Sequence, residues 1–171
     1  MKQIDLDDVE RVPHFMGANE DRRPLSRVID AMGFATTYLE LDPGESFSGG
    51  LHTHTDQEEL FVALEGTATF ETAPGPNEAS ETTEIGPMGG IHFEAGDVFQ
   101  QGRNETEEPV TGLAIGVGSE RHAWDGVEAL VDCPDCGAET VHSLAAPDAD
   151  DGRIPEMDAM RIVCSDCGHE L

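Results

Sequence analysis

GGLHTHTDQEELFVALEG, residues 49–66, is the stretch whose reading decides the fold. EELFVAL, residues 58–64, is rich in apolar and aromatic residues and reads as a strand. His52 and His54 are separated by one residue, so an extended chain places both imidazoles on the same face. Glu59 follows after a short turn, and Gly66 closes the next one. Two imidazoles and a carboxylate from neighbouring strands can occupy one face of an octahedron, leaving other positions open for water, substrate or dioxygen. Such a set suits Fe²⁺, Mn²⁺, Ni²⁺ or Zn²⁺. The plain alternative is two solvated strand histidines beside an acidic turn.

Working outward, short strand patterns recur. GFATTYLEL at 33–41 ends at the turn Pro43-Gly44, and further strands are expected at 67–72, 81–86, 90–94 and 110–117. Glu65-Gly66 joins two of them tightly, as a hairpin would. Many short strands punctuated by Gly and Pro predict an all-β sandwich or barrel. Helical periodicity is weak and confined to 123–131, AWDGVEALV. The expected organisation is an N-terminal arm over 1–32, a β-barrel over 33–124, and a linker with a small metal-stapled segment over 125–171.

Residues 49–66 resemble the first signature motif of the cupin family, HxHx(3–4)Ex(6)G, with His52, His54, Glu59 and Gly66 in order and spacing. The resemblance covers roughly residues 33–118 and implies a small antiparallel jelly-roll barrel. The second cupin motif, Gx(5)PxGx(2)Hx(3)N, has its counterpart from Gly89 to Asn104. That frame places Ala95 at the proline, Asp97 at the second glycine, Gln100 at the histidine and Asn104 at the asparagine. The resemblance therefore implies a metal held by His52, His54 and Glu59, with Gln100 in the fourth ligand position. Gln101 is the neighbouring fallback. His92 could reach inward if the register slips, its plainer role being a strand residue beside Phe93. The family also implies pairing as a homodimer.

All four cysteines fall in CPDCG (133–137) and CSDCG (164–168). Each CxxCG forms a tight turn, and two such turns can place Cys133, Cys136, Cys164 and Cys167 at the corners of a tetrahedron suited to Zn²⁺. The segment resembles a zinc ribbon, with strands at 139–144 and 160–163 flanking an exposed loop at 147–155. His142 and His169 lie nearby and read as surface residues rather than ligands. Trp124 reads as an anchor between barrel and ribbon.

The formal net charge is −27, with 36 acidic and 9 basic residues, and Lys2 is the only lysine. The composition resembles that of proteins from extreme halophiles, in which high salt screens self-repulsion. It disfavours nucleic acid and anionic membrane surfaces as partners. From Asp125 onward there are twelve acidic residues and two arginines, so a ribbon here suits a structural role or a protein partner. No apolar run approaches the roughly 20 residues of a membrane span, and the charged start has no signal region, so a cytoplasmic protein is expected. Arg103 either pairs with an acidic substrate or balances surface carboxylates. The leading functional expectation is a metal-dependent cupin enzyme, of dioxygenase or isomerase type, acting on a small organic substrate. The competing one is a small-molecule-binding or regulatory module whose zinc ribbon contacts a partner protein.

Overall fold

The computed structural model describes residues 1–14, 16–29, 33–118, 126–145 and 160–171. The expected Trp124 anchor and the loop at 147–155 lie outside the described residues. Among the described residues twelve strands carry the fold: β1 (Asp21–Pro24), β2 (Phe34–Leu41), β3 (His52–His54), β4 (Glu58–Glu65), β5 (Ala68–Ala73), β6 (Glu81–Ile85), β7 (Gly90–Phe93), β8 (Phe99–Arg103), β9 (Val110–Val117), β10 (Val127–Cys133), β11 (Ala138–Ala145) and β12 (Arg161–Cys164). Helix among these residues is limited to two short turns, Leu6–Asp8 and α1 (Leu25–Val28). No helix among the described residues is long and apolar enough to cross a membrane.

The strands form two antiparallel sheets, one ordered β1-β2-β9-β4-β7 and the other β12-β11-β10-β3-β8-β5-β6. From β2 to β5 successive strands alternate between the sheets, which is the wrapping of a jelly roll and meets the all-β barrel expectation. The Glu65-Gly66 link is consequently a corner between sheets and not the hairpin expected from its length, because β4 and β5 belong to different sheets. Gly66 holds a φ of +75°, and a Cβ there would sit 2.5 Å from the Pro109 carbonyl oxygen. The corner therefore needs glycine for both conformation and space.

The barrel closes on Leu39, Leu41, Phe47, Phe61, Ala68, Phe70, Phe93 and Val110. Phe47 stacks on Phe70 with ring centroids 5.6 Å apart, and Phe61 tilts against Phe70 at 5.1 Å. Asn104, 1% exposed, pins the open end: its side-chain amide donates to the Leu41 and Glu108 carbonyls, and its oxygen accepts from the Thr106 amide. Gly44, at the expected Pro43-Gly44 turn, donates its amide to the Asn104 carbonyl at 2.9 Å.

Two strands arise where the pattern pointed elsewhere. The N-terminal stretch supplies β1, which pairs with β2 from Asp21↔Glu40 to Pro24↔Thr37. The weak helical period at 123–131 is overturned from Val127 onward: this chain is β10, which fills the open edge of β3 through Val127↔His54, Glu128↔Thr53 and Ala129↔His52. The β-branched Val127 and Val131 suit that sheet position, and the ladder outweighs the local helix preference of Glu128, Ala129 and Leu130. β10 then pairs with β11, and β11 with β12, so the C-terminal strands extend the sheet that holds the histidine pair.

Candidate metal centres and cavity

β3 presents His52 and His54 toward the barrel interior, with ring centroids 5.2 Å apart and nearly perpendicular planes. Glu59, near the start of β4, faces them: its Oε2 lies 3.8 Å from His52 Nε2, and its Oε1 lies 3.4 Å from His54 Nε2. The three ligand atoms all fall within 4.8 Å of one another. His52 Nδ1 lies 3.1 Å from the Gly50 carbonyl oxygen, so it carries the proton that donates there. This tautomer leaves the Nε2 lone pair aimed at the Glu59 carboxylate, which is how a metal-ligating imidazole is oriented by its second nitrogen.

Gln100, the residue that the second cupin motif frame puts at the fourth ligand position, lies on β8 beside the histidine pair. It is the register partner of His52 across β3 and β8, and it is 2% exposed. Its Nε2 donates to Glu59 Oε2 at 2.8 Å and lies 3.3 Å from His52 Nε2. Its Oε1 is buried with no hydrogen-bond partner among the described residues. An amide turned about its last bond would present that oxygen to a cation at the same point. The donor set of two imidazoles, a carboxylate and an amide oxygen therefore fits a divalent ion.

Burial dominates the electrostatics. It pushes the Glu59 carboxyl up to about 7, against the Gln100 hydrogen bond, and it lowers His52 below the usual imidazole value.

The neighbouring candidates fall elsewhere. Gln101 donates to the Ser48 carbonyl at 3.2 Å. His92 points out of the sheet, half-exposed, with Nε2 2.9 Å from Glu58 Oε2. Arg103 is held by Glu71 and by Glu105, so it balances surface carboxylates.

The histidine pair opens onto a cavity of about 530 Å³. Leu39, Phe47, Phe61 and Ala114 supply apolar wall from the barrel, and Val127, Ala129, Leu130 and Val131 supply it from β10. His14 and Arg22, from the N-terminal stretch, complete it. The sequence pattern marks neither, because their placement depends on β1 joining the sheet. The adjacent pair Arg22-Arg23, in a chain with nine basic residues, is the signal that could have found them.

The four cysteines meet at the ends of β10 and β12. Cys133 and Cys164 are buried, whereas Cys136 and Cys167 are exposed, and none is in a disulfide. Cys133 Sγ lies 3.6 Å from Cys167 Sγ, and Cys136 Sγ lies 3.9 Å from Cys164 Sγ. Four thiolates about 2.3 Å from a tetrahedral zinc would be about 3.8 Å apart, so these spacings fit. Both turns close alike: Gly137 and Gly168, at positive φ, donate their amides to the Cys133 and Cys164 carbonyls at 2.8 and 2.9 Å. The Thr140 hydroxyl, 3.3 Å from Cys164 Sγ, and the amides of Cys167 and Asp166 favour the Cys164 thiolate.

The two nearby histidines differ from expectation. His142 is not on the surface: it is fully buried, because Thr140, His142 and Leu144 alternate inward along β11. Its Nδ1 lies 3.2 Å from the Thr140 carbonyl oxygen. His169 is partly exposed and joins the two cysteine turns through Asp135 Oδ2 at 2.9 Å.

No family model matches this sequence, and no curated protein matches it. Solved structures do match. One is a sugar phosphate isomerase of the cupin superfamily from Silicibacter pomeroyi, 25% identical, covering 69% of this chain and 76% of that one, with a TM-score of 0.54. Another is a putative sugar phosphate isomerase from Acidithiobacillus ferrooxidans, 18% identical, covering 80% and 85%, with a TM-score of 0.56. A third is an oxalate decarboxylase from Lactobacillus farciminis, 20% identical, covering 66% of this chain but 32% of that one, with a TM-score of 0.51. The fold is thus a cupin-type β-barrel.

Proposed function

We propose that this protein is a metal-dependent cupin enzyme that isomerises a small organic substrate in the cavity beside β3. The observation that carries this reading is the convergence of His52, His54 and Glu59 within 4.8 Å at the wall of a cavity of about 530 Å³. The likeness to the Silicibacter pomeroyi sugar phosphate isomerase supports isomerisation as the reaction class.

When bound, a divalent ion at this point supplies Lewis-acid polarisation of a substrate oxygen. The chain's residues do the rest. His52, His54 and Glu59 hold the ion, and the Gly50 carbonyl fixes the His52 tautomer. Gln100 donates to Glu59 when the ion is absent, and with its amide turned it completes the set as fourth ligand through Oε1. Phe47, Phe61 and Leu39 keep one side of the cavity apolar and poor in water. On this reading Cys133, Cys136, Cys164 and Cys167 hold a structural Zn²⁺ in a ribbon-like turn pair.

Metal analysis combined with a turnover assay tests the proposal. Wild type should carry two metals per chain, His54→Ala should keep only the cysteine-bound one, and Cys133→Ser should lose that one. Metal-loaded wild type should exchange substrate carbon-bound hydrogen with deuterated water for some member of a sugar phosphate panel, and His54→Ala should not. A wild-type barrel that takes up no metal overturns the reading.

A second reading, a small-molecule-binding module without turnover, draws on Gln100. An amide at the fourth position, already bonded to Glu59, is a weaker metal donor than an imidazole. Tight ligand binding with no exchange would favour it.

A further inference from the structure

β1 sorts two adjacent arginines onto opposite sides. Asp21 and Arg23 face away from the cavity, where Arg23 Nε and Nη2 each donate to the Asp21 carboxylate at 2.8 Å and the guanidinium lies over the Tyr38 ring. Arg22, between them, opposes Leu39 on β2 and lines the cavity with Leu39, Thr37 and Ala35. Its environment differs from that of the paired arginines. Arg11 and Arg23 pair with Asp21, Arg103 with Glu71 and Glu105, and Arg161 with Glu170. Among the described residues no carboxylate forms an ion pair with Arg22, although acidic residues outnumber basic ones 36 to 9. Glu59 and Asp132 line the same cavity, and neither is bonded to it.

The surroundings sharpen this. Burial and the nearby charge of Arg27 lower Arg22 to about 10, which still leaves it a cation at neutral pH. His14 sits within electrostatic reach of both Arg22 and His52, so the arginine and the histidine pair border one compartment. The Met16 amide donates to His14 Nδ1 at 3.1 Å, which puts the imidazole proton on Nε2 and makes that atom a donor. The loop carrying His14 is fastened to the barrel: the Ser46 amide donates to the Ala18 carbonyl, and the Asn19 side-chain amide to the Ser46 carbonyl. A cavity-facing guanidinium that no carboxylate pairs among the described residues, near a neutral imidazole that carries an N–H, is arranged for an anionic oxygen group.

We propose that Arg22 and His14 form an anion-binding subsite of this cavity, holding the phosphate or carboxylate of the small organic molecule that the histidine pair acts on. The inference rests on the proposed reading of that cavity as a substrate site. Phosphate and carboxylate share the chemistry Arg22 would recognise, and they are separable by experiment.

The test uses the full chain in its metal-loaded form. Inorganic phosphate and malonate are titrated separately by calorimetry, with ionic strength fixed by potassium chloride. At least one anion should bind with one-to-one stoichiometry. Arg22→Gln should weaken that binding tenfold or more, Arg22→Lys should retain part of it, and Arg103→Gln should leave it unchanged. Preference for phosphate would assign a phosphorylated substrate, and preference for malonate a carboxylic acid. If neither anion binds, or if Arg22→Gln binds as wild type does, the subsite is overturned. Should Arg22→Gln fail to fold, wild-type crystals soaked in the bound anion decide: an oxygen at hydrogen-bond distance from Arg22 supports the proposal, and an anion seated elsewhere overturns it. Metal content separates the two readings. Metal uptake with Arg22-independent anion binding sinks this inference alone, and Arg22-dependent binding without barrel metal sinks the metal reading alone.

Discussion

His52 and Gln100 face each other across β3 and β8, with 3.3 Å between His52 Nε2 and Gln100 Nε2. A side chain at position 100 therefore reaches the point where His52, His54 and Glu59 converge. Gln100→His should add an imidazole ligand and tighten divalent metal binding at the barrel site by about tenfold or more, whereas Gln100→Ala should weaken it. Competition titration with a chromogenic chelator reads both, and equal affinities in all three proteins would exclude position 100 from the site.

Metal uptake at the barrel should depend on pH through Glu59. Burial raises its carboxyl to about 7, so at pH 6 the metal-free protein holds a proton that a cation must displace. Affinity should fall by roughly tenfold per unit below about pH 7 and level off above it. For folding, a raised carboxyl has the opposite sign from a salt-bridged one. Its contribution in the metal-free protein is fully present below the ordinary value of 4.5 and is lost as pH rises through 7. Added metal should restore stability most above pH 7. Melting curves with and without metal across pH 5 to 8 check this, and a metal-induced shift that does not grow with pH contradicts it.

Cys164→Ser should remove the zinc expected at the cysteine site, because Cys164 lies 3.9 Å from Cys136 within the cluster and its thiolate is favoured by Thr140. The loss should reach further than the cluster. β10 runs from the cysteines back to β3, where Ala129 pairs with His52. Hydrogen exchange should therefore speed up at Thr53 and His54 as well as at Val131 and Asp132. Protection unchanged at β3 would show that the two regions are independent.

The net charge of −27 makes stability a function of salt. The melting temperature should rise by several degrees between 0.1 and 2 M potassium chloride, as screening relieves repulsion among 36 carboxylates. A melting temperature that is flat or falling in potassium chloride rejects the halophilic reading of the composition.

What can be read from the sequence is local in origin. His52, His54 and Glu59 announce themselves because strand periodicity and one short turn fix their geometry. The two CxxCG turns do so because each is closed by its own glycine. The frame of the second cupin motif is what singles out Gln100, whose amide lies against Glu59. What stays hidden depends on pairing between distant segments. β10 resembles a helix until β3 is seen to lack a partner on that edge. His142 resembles a surface residue until the inward alternation of Thr140, His142 and Leu144 is followed along β11. Arg22 gains its meaning only when β1 settles against β2 and turns it inward, away from Arg23.

The continuity of β10 with β3 also bears on where this chain can be cut. Val127, Ala129, Leu130 and Val131 wall the cavity, and Leu144 and Ile162 reach it from β11 and β12. β3 is paired with β8 at a single position, His52↔Gln100, but with β10 at three. Truncation near residue 118 would not leave a smaller, tidier version of the same protein. It would leave a vessel missing a side, with its histidine strand held by one remaining stave.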